Sequence, residues 1–245
     1  LVKVKEMPFP EAVSQLTGTP LRAYTAPKAP VMPKERRLLL PDVDSSCDAV
    51  KAYLEGRGIH PEIIDYCIEK KLLFQTSQYK NALFVGYDRM GKPHYGALRS
   101  TFSRFKSEAT GSDKHYSFSI AENPQADTVH LFEAAIDLLS YATLEKYAGR
   151  DWKQEALLSL AGVFAPKRQG VVPVALSRFL EEHPQVTTLR LHLDNDEVGR
   201  VTAQGILDGL KGYTVLDEPP TRGKDVNEQL QLQLGLMKKK EEWER

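Results

Sequence analysis

The chain has 245 residues, 41% of them apolar, 27% charged and 9% aromatic. That length holds one large domain or two small ones, and this apolar content excludes wholesale disorder. No apolar run approaches the ~18 residues that a membrane-spanning helix needs, so a soluble, cytoplasmic protein with no membrane partner is expected.

Neither a signal peptide nor a transit peptide is read at the N-terminus, and a start on Leu1 rather than Met reads as a piece of something longer. The two cysteines, Cys47 and Cys67, have no His partners at metal spacing and read as reduced, partly buried thiols. Basic and acidic residues balance at 33 each, which argues against a generic nucleic-acid coat. Their distribution is uneven. Gln78 to His115 carries seven Lys/Arg against three acids, whereas Leu189 to Glu228 carries eight acids against five bases. A protein that holds a polyanion on one wall and metal ions on the other needs this kind of separation.

In chain order, Pro10 to Leu16 reads as a short helix closed by Gly18. Pro20, Pro27, Pro30, Pro33 and Pro41 then forbid helix and favour an extended linker, giving a first segment over 1–41. Helices follow from Ser46 to Arg57, ended by Gly58, and from Pro61 to Lys71. The pattern then changes to strands at Leu73–Phe74, Ala82–Tyr87, His94–Phe102 and His115–Ile120, with a hairpin turn over Asp88–Lys92. Residues 42–124 thus read as an α+β subdomain with an antiparallel sheet.

From residue 125 to 245 strands and helices alternate. Strands are expected at Val129–Phe132, Ala156–Leu160, Thr188–Leu193 and Tyr213–Leu216. Helices are expected at Ala134–Tyr147, Pro173–Glu182, Val198–Leu210 and Val226–Trp243. Strict alternation predicts an α/β domain whose parallel sheet is covered by helices on both faces. The tail Lys238–Glu242 reads as a solvated helix end.

Ligands of an open parallel sheet bind beyond the carboxyl ends of its strands. Glu133 follows the first of these strands, Asp194 and Asp196 follow the third, and the loop Gly223–Asn227 returns to the same edge. Positions i and i+2 of an extended segment point the same way, so Asp194 and Asp196 can face one site. Carboxylates converging there repel unless a hard divalent cation such as Mg2+ or Mn2+ sits between them. Each acid also has a structural role open to it. Asp196 can cap the helix from Val198, Asp225 can cap the helix from Val226, and Glu133 suits a helix N-terminus.

Leu131–Asp137 followed by Leu193–Arg200 resembles the Toprim domain shared by bacterial primases, type IA and II topoisomerases and certain nucleases. The resemblance rests on a Glu after the first strand, an Asp-x-Asp after the third and a Gly shortly after it. Gly162 and Lys224–Asn227 resemble further primase-type positions. Upstream, Tyr53–Ile59 is similar to the primase helix ending in Arg-Gly-Ile, the stretch from Asn81 to Lys114 to the primase basic strands, and Pro8–Val13 to the segment after a primase zinc domain. The arrangement as a whole resembles the primase-like proteins of plasmids and conjugative elements, in which a domain of unknown function precedes a Toprim domain. That resemblance implies Glu133, Asp194, Asp196 and Lys224 as catalytic groups, the three acids also as ligands of Mg2+ or Mn2+. It implies nucleic-acid or nucleotide contacts from Arg57, Arg99, Arg104, Lys106, Lys114, Asp225 and Asn227. Single-stranded DNA and nucleoside triphosphates are the implied partners, with a helicase or a relaxase beside them. Zinc is expected only in an upstream domain.

Metal-dependent nucleotidyl transfer that makes a primer leads. A Toprim nuclease using the same acids comes second, and a non-catalytic nucleic-acid-binding module third. A topoisomerase needs a nucleophilic Tyr on a further domain. A haloacid-dehalogenase phosphatase shares Asp-x-Asp-x-Val but places it near the start of the fold, so that reading is set aside.

Overall fold

The computed structural model describes residue 12 and residues 15–18, 37–162 and 170–237. The chain divides into two units, Leu1–Glu35 and Arg36–Arg245, and both sheets lie in the second. Ala12 and residues 15–17 are helical; the rest of the expected first helix and of the Pro8–Val13 segment, the prolines from Pro20 to Pro33 and the Lys238–Glu242 tail lie outside the described residues.

Helix α1 spans Asp48–Gly56 and α2 spans Pro61–Glu69. Ser46 Oγ accepts from the Asp48 N–H, and Gly58 ends α1 at φ +87°, a left-handed conformation that only glycine adopts without strain. Pro61 opens α2, where a missing N–H costs nothing, and His60 Nδ1 accepts from the Glu62 N–H. Strands β1 (Leu73–Gln75), β2 (Ala82–Tyr87), β3 (Pro93–Arg99) and β4 (Lys106–Glu108) form an antiparallel sheet in that order. The strand expected to run to Phe102 stops at Arg99. There the Ser100 hydroxyl accepts from the N–H groups of both Phe102 and Ser103 and turns the chain into β4.

The strand expected over His115–Ile120 is instead a 3-10 turn, Lys114–Tyr116, and a two-residue strand β5, Ser119–Ile120. The Asp113 carboxylate caps that turn by accepting from the His115 N–H, and β5 joins the second sheet as its antiparallel edge. The second sheet has the order β5-β7-β6-β8-β9, where β6 is Thr128–Phe132, β7 Ala156–Ser159, β8 Thr188–Leu191 and β9 Thr214–Asp217. The last four strands run parallel. The intervening helices are α3 (Ala135–Tyr147), α4 (Val174–Glu182), α5 (Glu197–Gly209) and α6 (Val226–Gln233).

The helix expected to continue to Trp243 stops ten residues short. Gly235 adopts φ +70°, and the Leu236 N–H donates to the Gln231 carbonyl, a left-handed helix stop. Helices α3 and α6 pack together with α1 and α2 in one continuous core that includes Leu54, Ile63, Phe84, Phe118, Phe132, Leu138 and Leu230. On the other face α4 and α5 bury Leu176, Phe179, Ala203 and Ile206 against Val129, Leu131, Leu158 and Leu189. Both cysteines are free thiols, and Cys67 is wholly buried in the first core.

The fold is therefore α/β: an antiparallel sheet followed by a mostly parallel one with helices on both faces. The parallel sheet has its topological switch at β6. From β6 the chain moves out to β7 on one side and returns as β8 on the other, which opens a crevice at the carboxyl ends of β6 and β8.

Candidate active site

Glu133 leaves β6 at that crevice, and Asp194 lies in the loop after β8. Strand β8 ends at Leu191, two residues earlier than expected, so Asp194 and Asp196 are loop residues rather than neighbours on one extended strand. What holds them in place is a set of local bonds. The Arg200 guanidinium donates from Nη2 to the Leu193 carbonyl (2.9 Å), from Nε to the Asp194 carbonyl (3.3 Å) and from Nη1 to Asp217 (2.7 Å). The Asn195 N–H donates to the Lys224 carbonyl at 2.7 Å, which ties the Asp-x-Asp loop to the loop before α6. Gly199 sits in the first turn of α5, where a Cβ would stand 2.2 Å from the Asp194 carbonyl oxygen and 3.0 Å from Glu133 Oε1. Only glycine lets the helix approach the two acids this closely.

The Asp194 N–H points at Glu133 Oε1, 3.4 Å away. Lys224 Nζ lies 3.0 Å from Asp194 Oδ2 and 3.0 Å from Asp196 Oδ2, so one ammonium bridges both aspartates. Asp196 Oδ1 caps α5 by accepting from the Gly199 N–H, and Asp225 caps α6 by accepting from the Glu228 N–H at 2.7 Å. The structural role open to each of these acids is thus filled, and Asp196 still offers Oδ2 to the site.

The charges are unequally compensated. Burial, with Asp194 beside it, pushes the Glu133 carboxyl up to about 7. Burial also raises Asp194, against the pull of Lys224. Asp196 is held below the usual carboxylate range by the Gly199 N–H and by Lys224. The two aspartates in turn hold the Lys224 ammonium firmly protonated.

Asp137 belongs here too, although sequence reasoning gave it no role. It is buried one turn into α3 and shares a cavity with Glu133, Asp194, Lys224 and Asp225. Burial, then Asp225 and Asp194, raises its carboxyl well above the ordinary value.

That cavity, about 620 Å3, is also lined by Arg99, Lys106, Glu108 and Lys114 from the antiparallel sheet and the turn after it. Part of the basic stretch and the acidic edge thus share one cavity. Lys114 is already engaged, donating to the Ala161 carbonyl (2.8 Å) and pairing with Glu108 (2.9 Å). Arg99 and Lys106 have no ion pair among the described residues, and Arg104 stands on the exposed connection between β3 and β4.

Arg57 and Asn227 are placed differently from the expectation. Asn227 is 1% exposed, its oxygen accepting from the Arg57 guanidinium and its amide donating to the Arg57 carbonyl and Ser140 Oγ. Both ends of Asn227 are thus used inside the protein, and the Arg57 guanidinium is held against it.

Among the described residues no three acidic, His or Cys side chains form a ready-made cation cage, and Lys224 bridges Asp194 and Asp196. The donor set still fits a hard divalent cation. Glu133, Asp194 and Asp196 offer carboxylate oxygens, the hard donors that such a cation takes. No helix among the described residues is long and apolar enough to cross a membrane.

Comparison with known proteins places these features. Residues 52–124 match a family described as a protein of unknown function (DUF3991), and residues 130–230 match a family described as Toprim-like. An uncharacterized, plasmid-encoded (pXO2) protein of Bacillus anthracis is 30% identical over 172 residues, covering 66% of this chain. The chain spans about half of that relative's length, 48%. Among solved structures, the DnaG catalytic core superposes with a TM-score of 0.52 at 13% identity, over 77% of this chain and 70% of that one. The DnaG primase catalytic domain bound to ssDNA gives 0.50 at 13% identity, over 77% and 71%. At that identity the likeness is one of fold, shared with primase catalytic cores. The chain thus carries a DUF3991 segment over residues 52–124 followed by a Toprim-like domain over residues 130–230.

Proposed function

We propose that this protein is a primase-like nucleotidyltransferase of a mobile element, acting in the cytoplasm on single-stranded DNA with nucleoside triphosphates and Mg2+ or Mn2+. In this reading 1–41 is an N-terminal helix and linker, 42–124 a basic primase-like subdomain and 125–245 the Toprim domain. The observation that carries the reading is one cavity lined both by Arg99, Lys106 and Lys114 and by Glu133, Asp137, Asp194 and Asp225.

The cations suit a template backbone or the triphosphate tail, and the carboxylates suit the metal that a phosphoryl transfer uses. Glu133, Asp194 and Asp196 would hold that metal, which supplies charge neutralisation at the transferring phosphate and a more acidic attacking hydroxyl. Lys224 serves as a fixed positive charge beside the phosphate, positioned by the two aspartates. Arg200 and Gly199 keep the Asp194 loop against Glu133. A helicase or a relaxase would deliver the single strand.

The test is incubation of the full-length protein with single-stranded DNA, Mg2+ or Mn2+ and labelled nucleotides. New short oligonucleotides that disappear in Asp194→Ala support the reading. A shortened template with no new product assigns the same acids to a nuclease instead.

A further inference from the structure

The connection between β3 and β4 presents two aromatic rings to solvent. Phe102 is 78% exposed and Phe105 52% exposed, and between them stands the exposed Arg104. Exposed phenylalanines three residues apart cost solubility and contribute nothing to either core, so their position calls for a partner.

The connection is not a slack loop. Ser100 Oγ accepts from the N–H groups of Phe102 (3.2 Å) and Ser103 (3.1 Å), and the Ser100 N–H donates to the Phe105 carbonyl (3.0 Å). Ser103 Oγ accepts from the Phe105 N–H, and the Thr101 hydroxyl donates to the Lys80 carbonyl. Five bonds within and beneath the turn hold the rings outward. Its base is the Arg99–Lys106 pair, directly opposite in the β3–β4 ladder, and both side chains line the candidate active-site groove. Arg99, Arg104 and Lys106 have no ion pair among the described residues.

Resting on the reading of the groove as a single-strand site, we infer that this hairpin is a stacking platform at the mouth of the groove. Phe102 and Phe105 take unpaired bases on their faces while Arg104, Arg99 and Lys106 follow the phosphates. Charge selects the class of partner. An apolar protein surface would leave three unpaired cations without a counterpart, whereas a single strand supplies bases and phosphates alternately. Duplex bases are already stacked and offer no free faces. Stacking is tolerant of sequence, so the platform would grip any template.

Fluorescence anisotropy of the full chain tests this with three labelled probes of equal length: oligo-dT, an abasic deoxyribose-phosphate strand and a duplex. The wild type should bind oligo-dT at least about tenfold more tightly than the abasic strand, the effect of stacking even one base. Phe102→Ala with Phe105→Ala should abolish that preference, leave the salt dependence unchanged and keep the melting temperature, since neither ring is in a core. Phe102→Trp should retain the preference and show emission quenched by oligo-dT but not by the abasic strand. Equal wild-type affinity for oligo-dT and the abasic strand overturns the stacking role while leaving the single-strand reading intact. So does a double variant that keeps the preference. Failure of the wild type to bind either single strand overturns both.

Discussion

Arg57 and Asn227 stand 170 residues apart in the chain and meet side chain to side chain, Nε of the arginine 2.8 Å from Oδ1 of the asparagine. The contact joins the end of α1 to the first turn of α6, and so the DUF3991 segment to the Toprim-like domain. The same asparagine reaches the Arg57 carbonyl at 3.0 Å and Ser140 Oγ at 2.9 Å. Removing one partner of such a set leaves buried groups unsatisfied, at a cost of about 1–3 kcal/mol. Asn227→Ala should therefore lower the melting temperature by several degrees, since ~1 kcal/mol is worth roughly 2–4 °C in a chain of this size. Binding of single strands by the protein that remains folded should stay near wild type. A variant that melts normally but loses nucleic-acid affinity would return Asn227 to the binding surface.

Much of the site was legible in the sequence because the chemistry sits at strand ends. The strand-helix alternation after residue 125 fixed where Glu133, Asp194 and the Lys224 loop had to lie, and all three share one cavity. The turn at Ser100 was missed because a side-chain hydroxyl, not a glycine or proline, breaks the strand. The Arg57–Asn227 bond was read as two nucleic-acid contacts, because a polar residue near a functional loop looks the same whether it turns outward or is buried by an element 170 residues away. Asp137 needed the helix face of α3 to be known before its approach to Asp194 could be seen. The Lys224 bridge between two aspartates was not legible, since it depends on a loop-to-loop contact.

His192 provides a pH signature of the fold. Its Nδ1 lies 3.0 Å from the Glu218 carbonyl and so carries the proton; its Nε2 lies 2.8 Å from His130 Nδ1, and the other nitrogen of His130 faces Glu155. Burial, with His130 beside it, pushes the His192 imidazole down to about 3. In the unfolded chain a histidine protonates near 6.5. Above that pH both states carry neutral imidazole and nothing is lost. Between 6.5 and 3 only the unfolded state takes the proton, so stability falls with falling pH by up to ~1.4 kcal/mol per unit from this residue. Urea unfolding at pH 7.5 and 5.5 should show the loss in the wild type and a smaller loss in His192→Asn, whose amide can still donate to the Glu218 carbonyl. Equal losses would show that His192 protonates in the native state.

Arg99 and Lys106 face each other in the β3–β4 ladder and open onto the groove without ion pairs among the described residues. Each phosphate neutralised on a single strand contributes about 0.7 to the slope of log affinity against log salt. Arg99→Ala and Lys106→Ala should each weaken single-strand binding and flatten that slope by roughly this amount. Lys114→Ala should do less to the slope, because its ammonium already bonds Glu108 and the Ala161 carbonyl. A slope unchanged in Arg99→Ala would make the positive wall mere surface.

Lys224 carries the sharpest test of the acidic wall, because its charge acts in two opposed ways. Seated 3.0 Å from both Asp194 and Asp196, it satisfies carboxylates that a divalent cation would also use, and it repels any cation that approaches them. Removing it should therefore tighten Mn2+ binding, measured by calorimetry without nucleic acid. The same ammonium is placed to neutralise charge building on a phosphate in the transition state. Lys224→Ala should consequently bind the metal better yet turn over at least about tenfold more slowly, a loss of ~1.4 kcal/mol of transition-state stabilisation. Asp225→Asn, which keeps an oxygen to cap α6, separates the neighbouring residue from this effect and should change metal affinity far less. If Lys224→Ala binds Mn2+ more weakly, the lysine organises the carboxylates instead of competing for them. If it is fully active, the loop is architecture and the chemistry belongs to the acids alone.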